Sequence, residues 1–171
     1  HFRRVSQVLS LFCFEYAKKH SSLMERDIQL DYVADFEDVA RKLFSPLFIC
    51  DGVLSQKAFT LEVLSNESYI SVLRPAISSF ETDMDGIKKD GNTLYGYALL
   101  NVGEIRHPQI GFRETIQLDV QPRNAGKRKS HAGIFATIGQ TRIKGGSPQS
   151  ISRMLLRMYL VQIAQKRIIQ F

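Results

Sequence analysis

The residues best equipped for chemistry in this chain are two imidazoles that stand among cations. His107 lies in "IRHPQ" and His131 in "KSHAG". One ring as base, one as acid, and a Lys or Arg on the phosphate would suffice for metal-free RNA cleavage. Surrounding positive charge lowers an imidazole pKa, which suits a base better than an acid. The plainer assignment is favoured, with His107 in a His-Pro turn and His131 opening a strand. Metal-dependent nuclease chemistry needs clustered carboxylates, and this region offers only Glu104, Glu114 and Asp119. Paired zinc ligands are missing as well, so neither a metal nor a cofactor is expected. "ETDMDGIKKDGN" imitates a calcium loop at Asp83, Asp85 and Gly86. It places Lys88 at the apolar position and Asn92 where a bidentate Glu belongs, and reads as a turn. No Ser or Cys sits in a nucleophile context.

Anion binding is the stronger signal. "RNAGKRKSHAG" (123–133) gathers Arg123, Lys127, Arg128, Lys129 and His131 around one glycine. A second basic segment, "TRIKGGSPQS", runs from Arg142 and Lys144 through Gly145 and Gly146 to Ser147 and Pro148. Glycines let a phosphate approach the backbone, and the N–H groups at a helix start attract anions. The order Lys-Gly-Gly-Ser is not that of a P-loop, so nucleotide hydrolysis of that type is not expected. A solvated loop tip and a plain Ser-Pro cap are the structural alternatives.

The charge of the whole chain points the same way. The net charge is +6, but residues 1–105 hold 11 Lys/Arg against 15 Asp/Glu, whereas 106–171 hold 12 against two, Glu114 and Asp119. Either a polyanion meets the basic part or the acidic part packs on it. The 171 residues, 44% hydrophobic and 23% charged, suit one globular domain with a full core. No apolar run reaches the roughly 18 residues of a membrane span. The start, "HFRRVSQVLSLFCFEYAKK", is not read as a signal peptide, because Glu15 interrupts it and no small-residue cleavage site follows. Cys13 and Cys50 are expected as buried free thiols, consistent with an intracellular, cytoplasmic setting.

Several elements must position these groups. Val5, Val8, Leu9, Phe12 and Tyr16 predict a helix over 3–20. Phe36, Val39, Ala40, Leu43 and Phe44 predict another over 35–45, capped by Asp35 and stopped at Ser45-Pro46. "LFIC" and "AFTLEVL" read as strands around "DGVLSQ", and 65–89 as helix interrupted at Pro75. After "KKDGN" come three strands, "TLYGYALLNVGEI", "FRETIQLDV" and "HAGIFATI", with "TRI" as a short fourth. Ile116, Leu118 and Val120 share one face of the second, and Ala132, Ile134, Ala136 and Ile138 share one face of the third. "PRNAGKRKS" then becomes a long hairpin connection. Tyr95, Tyr97 and Phe135 are candidate base-stacking rings, although core packing is the commoner fate. "SPQSISRMLLRMYLVQIAQKRIIQ" predicts a long C-terminal helix, apolar nearly all round from Met154 to Ala164 and therefore buried.

The sequence thus predicts a single α+β domain over 1–171, acidic and mainly helical to residue 90, basic and strand-rich from 91. Helices pack on an antiparallel sheet of three to five strands. The function expected is non-enzymatic binding of DNA or RNA, alone or as the small subunit of a nucleic-acid-processing assembly. Its contacts are the 123–131 finger and the 142–150 helix start. The alternatives are an interaction protein, docking a partner or second copy through 151–164, and, more distantly, a metal-independent ribonuclease. No membrane association is expected.

Overall fold

The computed structural model describes residues 29–60, 68–78, 88–89, 91–108, 116–123, 129–144 and 151–171. The expected helix over 3–20, the segment "TLEVLSN" after Phe59 except its first residue, the Asp83–Asp85 turn and the start of the C-terminal helix lie outside these residues.

The ten strands in chain order are β1 (Asp38–Ser45), β2 (Ile49–Cys50), β3 (Val53–Leu54), β4 (Ile70–Leu73), β5 (Lys88–Lys89), β6 (Asn92–Asn101), β7 (Ile116–Pro122), β8 (His131–Ile138), β9 (Thr141–Arg142) and β10 (Ile168–Gln170). A short helix α1 (Val102–Arg106) follows β6, and α2 (Ile151–Gln165) precedes β10. Eight strands form one antiparallel sheet, ordered β10-β6-β1-β4-β8-β7, with β5 added to β6 and β9 to β8; β2 and β3 make a separate hairpin. The α+β class holds, but the sheet exceeds three to five strands. The described part of 1–90 contains strands and a 3₁₀ turn (Gln56–Phe59), and no α-helix.

The largest correction is at 35–45, which is strand β1. Its helix-like apolar spacing has two causes. β1 is a central strand covered on both faces, so Val39 and Leu43 enter the main core while Ala40 joins Leu73, Tyr97 and Leu99 on the reverse face. A register shift between Leu43 and Phe44 then puts Phe44 into the core beside Leu43. Glu37 and Asp38, which would sit in the first turn of a helix capped by Asp35, serve as ion-pair partners instead. Glu37 meets Arg74 at 2.9 Å and Asp38 meets Arg167 at 2.6 Å.

Within 65–89 the structure shows strands β4 and β5 where helix was expected. In β4, Ile70 and Val72 face the core and alternate with Ser71. "AFTLEVL" begins in the 3₁₀ turn rather than a strand, with Ala58 and Phe59 buried. The "LFIC" strand is present as β2, turned into β3 by Asp51 (φ 50°) and Gly52 (φ 76°), the two left-handed residues a tight hairpin needs. Cys50 is exposed, contrary to expectation.

The alternation read in β7 and β8 is correct. Ile116, Leu118, Val120, Ala132, Ile134 and Ala136 all lie in the main core, with Ile138 packed against it. α2 covers that core face with Leu156, Tyr159, Leu160, Ile163 and Ala164. It is not buried all round: Ile151, Met154 and Met158 remain 64%, 43% and 47% exposed. It ends at Gln165, and "IIQ" pairs with β6 as β10. That pairing requires Gly96, where a Cβ would collide with the Ile169 carbonyl.

Candidate nucleic-acid interface

The β7–β8 pairing places the basic segment at one end of the sheet. Pro122 lies opposite Ala132, and the Arg123 N–H donates to the His131 carbonyl at 2.8 Å. The connection therefore runs from Arg123 to Ser130, as the hairpin reading required. Lys127 and Arg128 fall outside the described residues. Lys129 is exposed, and Ser130 is buried with its carbonyl accepting from the Arg74 N–H at 2.8 Å. Arg74 thus anchors the base of the hairpin.

On the sheet face away from the main core, β8 presents His131, Gly133 and Phe135 in alternation. Tyr69, just before β4, lies across them. A Cβ on Gly133 would stand 2.6 Å from Tyr69 Cδ2 and 3.0 Å from its Cβ, so only glycine admits the ring. The Tyr69 ring is 5.4 Å from that of Phe135 and 5.9 Å, edge on, from that of His131. His131 Nε2 is 2.9 Å from Ser71 Oγ.

Two guanidiniums complete the row. Arg123 Cζ stands 4.7 Å from the Tyr69 ring centre and Arg142 Cζ 3.8 Å from that of Phe135. Arg142 reaches this position from β9, whose Arg142 pairs with Thr137. The order is Arg123, Tyr69, Phe135, Arg142, a continuous cation–ring–ring–cation contact across the sheet. Phe135 is 4% exposed, covered by Tyr69 and Arg142. Tyr97 lies on the same reverse face and is buried against Phe171, ring centres 5.3 Å apart.

The charge asymmetry resolves into two populations. Some basic-half cations are matched. Arg106 contacts Asp35 at 2.6 Å and Asp119 at 2.9 Å, and Arg167 contacts Asp38. The hydrogen bond from Arg106 holds Asp35 below the usual carboxylate range, against a smaller opposing effect of burial. Burial would lower Arg106, but its bonds to Asp35 and Asp119 outweigh that and raise it. Arg123, Lys129 and Arg142 are different: among the described residues none forms an ion pair with a carboxylate. Asp119 is held by Arg106 and by Gln121 Nε2 at 2.8 Å, and Gln121 in turn accepts from Arg142 at 3.4 Å.

Of the second basic segment, Arg142 and Lys144 are exposed, while Gly145, Gly146 and Ser147 lie outside the described residues. Arg153 donates to the Lys144 carbonyl at 2.9 Å, tying the end of this segment to α2. The structure therefore joins Arg123, His131 and Arg142 through shared aromatic contacts and sets Lys129 at the hairpin end.

The two histidines stand on different elements with different partners. His107 Nε2, after α1, is 3.4 Å from Asp35 Oδ2, whereas His131 is held by Ser71. His107 lines a groove of ≈ 330 Å³ between α1 and α2 with Gly103, Glu104, Tyr159, Gln162, Ile163 and Lys166. Burial raises the Tyr159 phenol, whose O–H donates to the Glu104 carbonyl at 2.6 Å. Among the described residues no group of three His, Cys, Asp or Glu is placed to hold a metal ion. No described helix is long and apolar enough to cross a membrane.

Sequence reasoning missed Tyr69, because "SYISVL" was assigned to a helix. The available signal was the alternation of Ile70 and Val72 with Ser71, together with Gly133 opposite Ser71 in the register. No protein family, curated protein or solved structure matches the chain.

Proposed function

We propose that this chain binds nucleic acid without catalysis, alone or within a nucleic-acid-processing assembly, along the row Arg123–Tyr69–Phe135–Arg142. One observation carries the reading. Arg123 and Arg142 are stacked on neighbouring rings of one sheet face and form no ion pair among the described residues, whereas Arg74, Arg106 and Arg167 are each held by acids. Stacking fixes a guanidinium plane and leaves its N–H edge for a phosphate oxygen. Lys129 and Lys144 are exposed beside this row and His131 contacts Tyr69; Lys127, Arg128, Gly145, Gly146 and Ser147, their neighbours in the sequence, belong to the proposal as further phosphate contacts. Contacts of this kind fix position and read little sequence. An intracellular, cytoplasmic setting belongs to the proposal, and the exposed free thiol of Cys50 supports it.

The test is titration of labelled DNA and RNA oligonucleotides of generic sequence at low and moderate salt. Arg123→Ala with Arg142→Ala should remove most of the affinity, as should Lys127, Arg128 and Lys129 all changed to Ala, with little change in melting temperature. Affinity that survives both sets of changes refutes the reading. A protein partner on 151–164 is a second proposal with its own observation, the exposure of Ile151, Met154 and Met158.

A further inference from the structure

We infer that the ligand of the Arg123–Tyr69–Phe135–Arg142 row is a nucleic-acid duplex held by its backbone, and not a single strand held by its bases. This rests on the proposed function and names the class of nucleic acid that the same surface takes. Proteins that hold single strands combine cations along the backbone with open ring faces on which successive bases stack. A duplex keeps its bases stacked inside and presents phosphates outside, at one charge per roughly 1.7 Å of helix axis. The two ligands therefore need different surfaces, exposed rings for one and exposed cations for the other.

The row is a surface of the second kind. Phe135 is 4% exposed, with Arg142 Cζ 3.8 Å from its ring centre, whereas Arg142 itself is exposed. Tyr69 is half-buried: Gly133 lies against its ring, Phe135 and His131 pack beside it, and the exposed Arg123 stands over it at 4.7 Å. Guanidiniums thus form the outer layer and rings the inner one. The other rings expected to stack bases are no more open, since Tyr95 packs against the main core and Tyr97 has no exposure. Among the described residues Tyr32 is the one exposed ring. Arg106 stands over it at 5.1 Å, and the partner of Arg106, Asp35, would repel a phosphate strand there. A guanidinium held against a ring keeps its N–H edge for a phosphate oxygen, and backbone contacts read little sequence. Each such contact also releases more counterion from a duplex than from a single strand, roughly 0.9 against 0.7 in slope. Strand state, rather than base composition, is what this surface distinguishes.

The experiment uses the full chain and labelled oligonucleotides of one mixed sequence, as single strands and as duplexes, in DNA and in RNA, at one low salt concentration. Fluorescence anisotropy should show each duplex bound at least about tenfold more tightly than its separate strands. A·T-rich and G·C-rich duplexes should agree within about threefold. Arg142→Ala removes a phosphate contact and also uncovers Phe135, so duplex binding should weaken while single strands gain relative to it. The duplex preference should then narrow to about threefold or less. Lys129→Ala removes a cation without uncovering a ring, and should weaken duplex binding with the preference kept within about twofold. Single strands bound as tightly as duplexes by the unaltered chain would overturn the inference, because bases would then be stacking on the guanidinium planes. A preference that Arg142→Ala leaves intact, or one that depends on base composition, overturns it as well. Each of these results leaves nucleic-acid binding itself standing, whereas binding of neither form removes the proposed function and this inference together.

Discussion

Glu37→Gln should be among the most damaging single substitutions in the molecule. Glu37 and Arg74 are buried as a pair, with side-chain exposures of 2% and 0%. Arg74 donates from Nε to Oε2 at 3.0 Å and from NH2 to Oε1 at 2.9 Å, and the Ala34 N–H donates to Oε1 at 2.8 Å. The same guanidinium donates to the carbonyls of Gln29 at 2.7 Å and Tyr32 at 3.0 Å. Glutamine keeps the shape but turns one acceptor into a donor facing the guanidinium and leaves a buried cation without its counter-charge. Breaking a buried pair in this way costs about 3–5 kcal/mol, a large share of the roughly 5–15 kcal/mol that holds a domain folded. With a urea m-value of about 2 kcal/mol/M, the midpoint should fall by about 2 M at unchanged m. Changing both residues to Met should cost less than Glu37→Gln, because no unpaired charge remains. A Glu37→Gln midpoint within about 0.5 M of wild type would refute the reasoning.

Three further outcomes follow from the geometry. Gly133→Ala should displace Tyr69 and lower stability by about 1–3 kcal/mol, with part of the loss recovered by Tyr69→Leu; thermal melts of the single and double variants check this. Leu160→Ala, at a position with no exposure, should cost about 2–5 kcal/mol in urea. Asp35 has a lowered folded-state pKa, so its contribution is present above its ordinary value of 3.8 and is lost as pH falls through the folded value. Asp35→Asn should therefore reduce stability at neutral pH by less than about 1 kcal/mol, the pair being partly exposed, and should converge with wild type in melts at strongly acid pH.

The sequence disclosed the sheet best where one face is buried and the other is not. β7 and β8 alternate cleanly, so their pairing, the hairpin and the placement of Arg123, Lys129 and His131 were all legible. β1 was misread because a strand covered on both faces, with a register shift at Leu43 and Phe44, loses its period of two. β10 was hidden at the end of a strongly helical stretch, since nothing in "KRIIQF" says that the helix stops at Gln165; its partner β6 decides that. α2 looked apolar all round, but composition cannot tell an inner apolar face from an outer one. Phe135 was placed on the correct face, yet its cover, Tyr69 and Arg142, comes from residues 66 and seven positions away. The aromatic row depends on the register of three strands, and Gly133 is its only local trace.

The most direct test of the nucleic-acid proposal is the salt dependence of duplex DNA binding, measured for wild type and for Arg123→Ala with Arg142→Ala. Each phosphate contact contributes roughly 0.9 to the slope of log affinity against log salt, and two stacked guanidiniums should account for about two such contacts. The account predicts a slope shallower by about 1.8 in the double variant, together with weaker binding at every salt concentration. Equal slopes and equal affinities would contradict it.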